Sequence, residues 1–148
     1  MEEDVEFDSK MGIREMEKQM KKLKKIKLVP LRRLHDKTWS VFSRYIRLRD
    51  RGKCFTCTKV DDIKNMQAGH FVHKDCLDFD ELNVHCQCPQ CNKWKHGNLA
   101  VYAVALQQKY GDGAPQLLLI RSHQAKKWTR AELEEIKSKY EQKTKELE

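Results

Sequence analysis

The chain has 148 residues, of which 39% are hydrophobic and 35% are charged. This length predicts one compact domain with extensions, because domains usually contain roughly 100–200 residues. No run of about 18 apolar residues is present, which excludes a membrane span. The first residues, Met1–Asp4, are acidic, which argues against a secretory signal peptide. We therefore expect a protein with no membrane association.

The net charge of +8 is unevenly distributed along the chain. Residues 1–9 carry five acidic side chains and no basic one, whereas residues 10–53 carry 16 basic and four acidic side chains, a net charge of +12. Such a concentration of positive charge favours a polyanionic partner, most often nucleic acid. One alternative is that the basic segment is an ordinary helix whose charged face is solvated. Another is that it binds a membrane surface through the thin apolar face over Met11–Leu23.

In the N-terminal third of the chain, the charge pattern predicts an acidic disordered tail over residues 1–9. A basic helical region is expected over residues 10–50. Helices are expected over residues 10–28 and 34–50, with an interruption at Pro30. Trp39, Phe42 and Ile46 recur at helical spacing, which indicates one buried face. Gly52 is suited to the left-handed position that ends a helix.

We expect residues 51–112 to form the core of the protein. Residues 113–148 are expected to form a C-terminal helical region. Two short strands are expected within residues 58–72, the second over Met66–Val72, followed by a polar loop. A helix is expected to begin at Pro89 and reach His96, and another to cover residues 98–110. A short helix follows from Pro115. The last helix begins at a capping box formed by Thr129 and Glu132, with Trp128 packing onto Leu133.

Six cysteines are present, and in a reducing compartment clustered thiols indicate metal ligands before disulfides. Two C-x-x-C pairs supply four thiolates, which satisfy the tetrahedral preference of zinc: Cys54, Cys57, Cys88 and Cys91. We expect a structural Zn²⁺ here, the alternative being four buried thiols. Cys86 competes with Cys88 in spacing and is interpreted as a small buried residue or a free thiol. Cys76 has no evident partner.

Polar residues with catalytic chemistry lie between and just after these pairs. His70 ends a predicted strand, Asn83 follows the polar loop, and Asn92 directly follows Cys91. This order resembles the HNH, or ββα-metal, nucleases. The resemblance implies an α+β fold with a small zinc-stabilised ββα-metal core between N- and C-terminal helices. It also implies His70 as the general base, Asn83 as the residue that fixes the loop, and Asn92 as a ligand of catalytic Mg²⁺ or Mn²⁺.

Gly69 stands where many HNH nucleases carry an Asp or His that binds the metal. The metal would then be held by Asn92 with help from a histidine, or by phosphates and water. The candidate histidines are His70, His73, His85 and His96. Asn92 and His96 are four residues apart, so on an α-helix they would share a face.

The order of several longer motifs is similar to that of the NinG/Rap family of phage recombination proteins. The shared motifs are the basic helix from Trp39 to Asp50, Ala68–Phe71, Phe79–His85, Gln87–Asn92, Gly97–Asn98 and Tyr102 to Gly111. In that family Ala-Gly-His is the usual form, and His85 falls on a family-like Asn-x-His, which makes it a further catalytic candidate. The resemblance implies a structure-specific DNA endonuclease that cleaves branched intermediates such as Holliday junctions. It also implies a homodimer in the cytoplasm of a bacterial host.

The expected contacts to DNA phosphates are basic side chains of the second helix and of the segment after Cys91: Arg32, Arg33, Arg44, Arg47, Arg49, Lys93 and Lys95. No base-reading module is evident, which favours recognition of DNA shape. The basic N-terminal helix is expected to serve as a DNA arm or a dimerisation element. One alternative function is a zinc-knuckle protein that binds DNA or RNA without cleaving it. Another is an interaction protein whose charged terminal helices bind a host protein.

Overall fold

The computed structural model describes residues 3–24 and 28–148, and the chain divides into two units, Met1–Pro30 and Leu31–Glu148. The first unit contains helix α1, Glu3–Lys24, whose described side chains over residues 12–22 are all exposed. The sequence predicts a disordered acidic tail, but α1 begins at Glu3 and includes most of it. Residues 25–27 of the expected helix lie outside the described residues. Among the described helices, none is both long and apolar enough to cross a membrane.

The second unit confirms a mixed α+β fold. Its elements in chain order are α2 (Leu31–Arg49), β1 (Gln67–His70), β2 (Val84–Gln87), α3 (Leu99–Tyr110), α4 (Ala114–Arg121) and α5 (Arg130–Leu147). Short 3₁₀ turns cover Ile63–Asn65 and Asp75–Leu77, and a π-helix of five residues covers Gln90–Trp94. The capping box predicted at Thr129 and Glu132 is confirmed at the start of α5.

The sheet is an antiparallel pair of β1 and β2, which places Gly69 opposite His85 and His70 opposite Val84. The prediction of two strands within residues 58–72 is therefore wrong in part. Only β1 lies there, and the segment before it forms a single bridge between Lys53 and Val60. The partner strand β2 escaped prediction because it has only four residues and its two polar residues, His85 and Gln87, are buried like its apolar ones, so no exposed polar face marks it as a strand.

Side chains alternate along a strand, so the two faces of the sheet have different neighbours. His70 and Val84 lie on the face covered by α2, where the Trp39 ring stacks on the His70 ring at 4.7 Å between centroids. Gly69 and His85 lie on the opposite face, which α3 covers. The sheet is thus enclosed between two layers of helix.

The hydrophobic core has two main clusters. One joins α2, α5 and the first face of the sheet through Phe42, Ile46, Val84, Leu133 and Tyr140. The other joins α3, α4 and the loop between the strands through Leu77, Tyr102, Leu106 and Leu118.

The loop between the strands, residues 71–83, is tied to the helices through its acidic side chains. The Glu81 carboxylate accepts hydrogen bonds from the Tyr45 hydroxyl of α2 at 2.9 Å and from the Tyr140 hydroxyl of α5 at 3.0 Å. Asp80 forms an ion pair with Arg121 at the end of α4. Two helical layers therefore hold the segment that follows His70.

The α-helix expected from Pro89 to His96 is replaced by the π-helix Gln90–Trp94. Its characteristic bond runs from the Lys95 N–H to the Gln90 carbonyl at 2.9 Å. His96 lies beyond the end of this helix with φ of +48°, and its side chain is exposed. The expectation that Asn92 and His96 share one helical face is therefore wrong.

Candidate functional site

Four cysteine sulfurs converge beside the sheet. The Sγ atoms of Cys54, Cys57, Cys88 and Cys91 all lie within 4.8 Å of one another, and those of Cys57 and Cys88 are 3.7 Å apart. A tetrahedral zinc with bonds of about 2.3 Å to sulfur separates its ligands by about 3.8 Å. None of the four is in a disulfide. The four cysteines predicted to bind zinc are therefore close enough to hold one metal ion, and their chemistry fits Zn²⁺.

The first cysteine pair is placed by a tight turn after α2. Gly52 has φ of +65°, and a Cβ there would lie 2.3 Å from the Asp61 carbonyl oxygen, so the turn requires glycine. The Phe55 N–H donates to the Cys86 carbonyl of β2 at 2.8 Å, which joins this turn to the sheet. Cys88 directly follows β2, and Cys91 lies in the π-helix. The cluster thus joins the turn, the end of the sheet and the π-helix.

The two remaining cysteines are not part of the cluster. Cys86 is fully buried on β2, and burial raises the pKa of its thiol to about 12, so it stays protonated at neutral pH. This agrees with its interpretation as a small buried residue. Cys76 donates from its thiol to the Arg121 carbonyl at 3.4 Å.

His70 ends β1, and its side chain is 13% exposed beneath the Trp39 ring. Its Nε2 atom has no hydrogen-bond partner among the described residues and lies 3.9 Å from Oδ1 of Asp78. Burial, together with the nearby charge of His73, lowers the pKa of His70 to about 4. The ring is therefore neutral at pH 7, with one nitrogen unprotonated.

Asn83 closes the loop between the strands from within. Its Oδ1 accepts from the Val72 N–H at 2.8 Å, and its Nδ2 donates to the carbonyls of Val72 at 2.9 Å and Leu77 at 3.1 Å. Each of these bonds is to the backbone of the loop, and Asn83 is fully buried. The side chain thus fixes the loop, as the sequence predicts for the central asparagine.

His85 is a core residue, which corrects its assignment as a catalytic or metal-binding candidate. Its Nδ1 lies 3.0 Å from the Tyr102 hydroxyl and its Nε2 lies 2.9 Å from the Tyr110 hydroxyl. Because Tyr102 donates its own proton to the Gly69 carbonyl, His85 donates from Nδ1 and accepts at Nε2. Both nitrogens are occupied, and the ring lies on the face opposite His70.

Asn92 faces the backbone of Gly69 from the π-helix. Its Nδ2 donates to Oε1 of Gln67 at 2.8 Å, and its Oδ1 lies 2.8 Å from the position that a Gly69 Cβ would occupy. The predicted metal ligand therefore lies beside the residue that lacks a side chain. His96 and His73 are both exposed. His73 lies beside His70, with 5.1 Å between the ring centroids, on the face of the sheet opposite Asn92.

The predicted DNA-binding arginines divide into internal and surface residues. Arg47 donates to the carbonyls of Ser43 and Ile63, and Arg49 binds the Asp50 carboxylate through two hydrogen bonds. Both guanidinium groups make contacts inside the protein, and their assignment to DNA phosphates stays a prediction. Arg44 is exposed but paired with Glu148. The exposed candidates that remain are Arg32, Arg33, Lys93 and Lys95.

Several residues around the site have no role that the sequence alone assigns. Trp39 stacks on His70, Gln87 reaches the space over Gly69, and the two tyrosines bind His85. In the sequence, Trp39 stands out as part of an apolar stripe, and Trp39, Gln87 and the tyrosines all lie within the motifs shared with the NinG/Rap family. The motifs alone assign none of these residues a role.

Comparison with known proteins gives a consistent result over most of the chain. The family model described as "NinG: Bacteriophage Lambda NinG protein" matches residues 6–148. The proteins named "Protein ninG" of Escherichia phage 933W and Salmonella phage P22 are each 36% identical over 130 residues, and that of Escherichia phage lambda is 35% identical. These alignments cover 85% of this chain but only 63–64% of the relatives, so the chain spans less than two-thirds of their length. No solved structure matches.

The cysteine cluster predicts that the purified protein retains one Zn²⁺ per chain after dialysis. Replacing Cys88 by Ala should remove most of this zinc, because three thiolates bind the ion far more weakly than four. The matched control is Cys86→Ala, which removes a thiol two residues away and should leave the zinc content unchanged. Elemental analysis by mass spectrometry measures both. Zinc loss from the Cys86 variant alone would contradict the assignment.

The buried, neutral state of His85 should lower the free energy of unfolding of the protein in acid. Burial, with the charges of Arg49 and Lys109, lowers its pKa in the folded protein to about 2, whereas the unfolded chain takes up the proton near the ordinary pKa of about 6.5. The unfolded state thus binds more protons, and stability falls as pH falls below about 6.5. Replacing His85 by Phe should therefore reduce the loss of unfolding free energy between pH 7 and pH 5 by about 2 kcal/mol.

Urea unfolding at both pH values measures this difference. His123→Phe is the control, because His123 is exposed and its replacement should leave the pH dependence as in the wild type. An identical pH dependence in the His85 variant and the wild type would refute a buried neutral His85.

Proposed function

Because the chain belongs to the NinG family of bacteriophage proteins, we propose that it is a metal-dependent endonuclease that cleaves branched DNA in phage recombination. The observation that carries this proposal is the neutral His70 at the end of β1, whose Nε2 has no hydrogen-bond partner among the described residues. Hydrolysis of a phosphodiester needs a base that activates water. His70, Asn83 and Asn92 follow the order of the HNH nucleases in a hairpin and helical turn held by the cysteine cluster.

The base has the protonation state that this reaction requires. Its pKa near 4 leaves His70 unprotonated at neutral pH, so Nε2 accepts a proton from the attacking water. The resulting imidazolium lies 3.9 Å from the Asp78 carboxylate, which stabilises the positive charge. Trp39 fixes the plane of the ring by stacking, and Asn83 fixes the loop that carries Asp78. These contacts hold the base in one orientation.

Asn92 supplies the candidate ligand for the divalent ion. Its amide orientation is set by the hydrogen bond from Nδ2 to Gln67, which leaves Oδ1 directed toward Gly69. Amide oxygens are suitable ligands for Mg²⁺ or Mn²⁺. When bound, such an ion would neutralise charge on the phosphate and on the leaving oxygen.

The surface next to this site suits nucleic acid. Trp94 of the π-helix is 80% exposed, and the flanking Lys93 and Lys95 are also exposed. An exposed aromatic ring between cations is typical of surfaces on which unpaired or terminal bases stack. A branch point offers such bases, whereas continuous duplex does not. This arrangement supports a preference for branched DNA.

A non-catalytic DNA-binding function is the second candidate, and one observation favours it. The Nε2 atom of His70 is buried, and only 13% of the side chain is exposed, so water reaches the base with difficulty in this conformation. The cysteine cluster and the basic surface would serve this function equally well. Cleavage assays separate the two candidates.

The zinc-loaded protein should nick four-way and three-way junctions only when Mg²⁺ or Mn²⁺ is added. His70→Ala should lower the cleavage rate at least about 100-fold, because general base catalysis contributes about 10²–10⁴. Binding of the junction, measured by fluorescence anisotropy of the zinc-loaded protein without added Mg²⁺ or Mn²⁺, should stay unchanged. His123→Ala, at an exposed histidine far along the chain, is the control that should cleave normally.

Two results would contradict this proposal. Junction binding without cleavage by the wild type would favour the DNA-binding module, and cleavage by the zinc-loaded protein without added Mg²⁺ or Mn²⁺ would exclude a reaction that depends on those ions. Equal cleavage by His70→Ala and wild type would remove His70 as the base.

Trp94→Ala should weaken junction binding about tenfold, since stacking of a base on an aromatic ring contributes about 1–3 kcal/mol. The salt dependence of binding should stay the same, because the ring contacts no phosphate. Lys93→Ala should instead lower the log–log salt slope by about 0.9 for each DNA phosphate that the lysine neutralises in the wild type. Ile120→Ala, at another exposed apolar side chain, is the control. Unchanged affinity in Trp94→Ala would exclude the stacking surface.

A further inference from the structure

Two side-chain amide oxygens meet over the α-carbon of Gly69. A Cβ built on Gly69 would lie 2.0 Å from Oε1 of Gln87 and 2.8 Å from Oδ1 of Asn92. Gln87 reaches this point from β2, and Asn92 reaches it from the π-helix. The missing side chain of Gly69 therefore provides the space in which the two oxygens come together.

The nitrogen ends of both amides determine this orientation. Nδ2 of Asn92 donates to Oε1 of Gln67 at 2.8 Å. Nε2 of Gln87 donates to the Gly97 carbonyl at 2.8 Å and to the Thr56 hydroxyl at 3.2 Å. Rotating either amide by half a turn would place oxygen against oxygen and break these bonds. Both oxygens are thus held toward the same point.

The Gln87 oxygen lacks the donor that a buried acceptor requires. Gln87 is fully buried, and its Oε1 has no hydrogen-bond partner among the described residues. A buried acceptor without a partner is costly, and a second oxygen beside it adds electrostatic repulsion. A cation between the two oxygens removes both penalties, and hard divalent cations prefer oxygen ligands.

We propose that Gln87 and Asn92 together bind the divalent cation of the reaction, with Gln87 supplying from β2 the ligand that Gly69 lacks. This inference rests on the proposed function and adds a residue to its metal site. Two neutral oxygens hold a divalent ion weakly, so the remaining ligands are water and the phosphate oxygens of DNA. Gly69 is required because any larger residue would displace the Gln87 oxygen.

Mn²⁺ binding to the zinc-loaded full chain, without DNA, tests this inference by electron paramagnetic resonance of the free ion. The wild type should bind one Mn²⁺ in addition to its zinc. Gln87→Met keeps the length of the side chain but removes the oxygen, and should raise the Kd for Mn²⁺ about tenfold or more. Gln108→Met makes the same change at an exposed position and should leave the Kd unchanged.

A second variant keeps the test decisive if Gln87→Met folds poorly. Gly69→Ala leaves the Gln87 side chain intact but places a methyl group where its oxygen lies, and should weaken Mn²⁺ binding to a similar extent. Zinc content and the urea midpoint of every variant show whether the fold is kept.

The outcomes separate this inference from the proposed function. Mn²⁺ binding that depends on Gln87 in a protein that cuts no DNA would support the metal site and reject the endonuclease. If cleavage depends on His70 but neither Gln87→Met nor Gly69→Ala changes Mn²⁺ binding, the metal site alone is rejected. A bound water would then be the hydrogen-bond donor to the two oxygens. A wild type that binds no Mn²⁺ beyond the zinc would also reject it.

Discussion

The antiparallel register of β1 and β2 is the constraint on which the rest of the site depends. It places His70 on the face under α2, with Gly69 and His85 on the face under α3. A slip of one strand by one residue would turn the side chains of that strand to the other face, so that either His70 would point toward the tyrosines or His85 would point toward Trp39. The hairpin has only four residues in each strand, so its own hydrogen bonds cannot secure the register.

Each end of the hairpin is secured by a different interaction. At the open end, the four cysteines join the first turn, the end of β2 and the π-helix, and a bound metal would add its binding energy to folding. At the loop end, Asn83 bonds the loop backbone while Glu81 and Asp80 tie it to α2, α5 and α4. The site lies between these two anchors, which explains how a protein with a small core keeps it in place.

The sequence is informative where the signal is local. Helical periodicity locates α2 and α3, the capping box locates the start of α5, and cysteine spacing locates the four cysteines that are close enough to hold a metal ion. Features that depend on tertiary contacts give no such signal. β2 is only four residues long and is buried on both faces, with its polar residues His85 and Gln87 inside the protein. The charges of Arg47 and Arg49 do not indicate that these side chains bind backbone carbonyls and Asp50 inside the protein. The motif position of His85 indicates catalysis, whereas two tyrosines take both of its nitrogens.

Gly69 connects the two halves of the site through a single peptide unit. Its carbonyl accepts the Tyr102 hydroxyl, its α-carbon lies under the amide oxygens of Gln87 and Asn92, and its neighbour is His70. A change at this residue is therefore transmitted to both faces of the sheet. Because a side chain at position 69 and the Gln87 oxygen would occupy the same space, only one of them can be present. The glycine and the glutamine thus form one structural solution, in which the Gln87 amide from the opposite strand occupies the space that a side chain at position 69 would take.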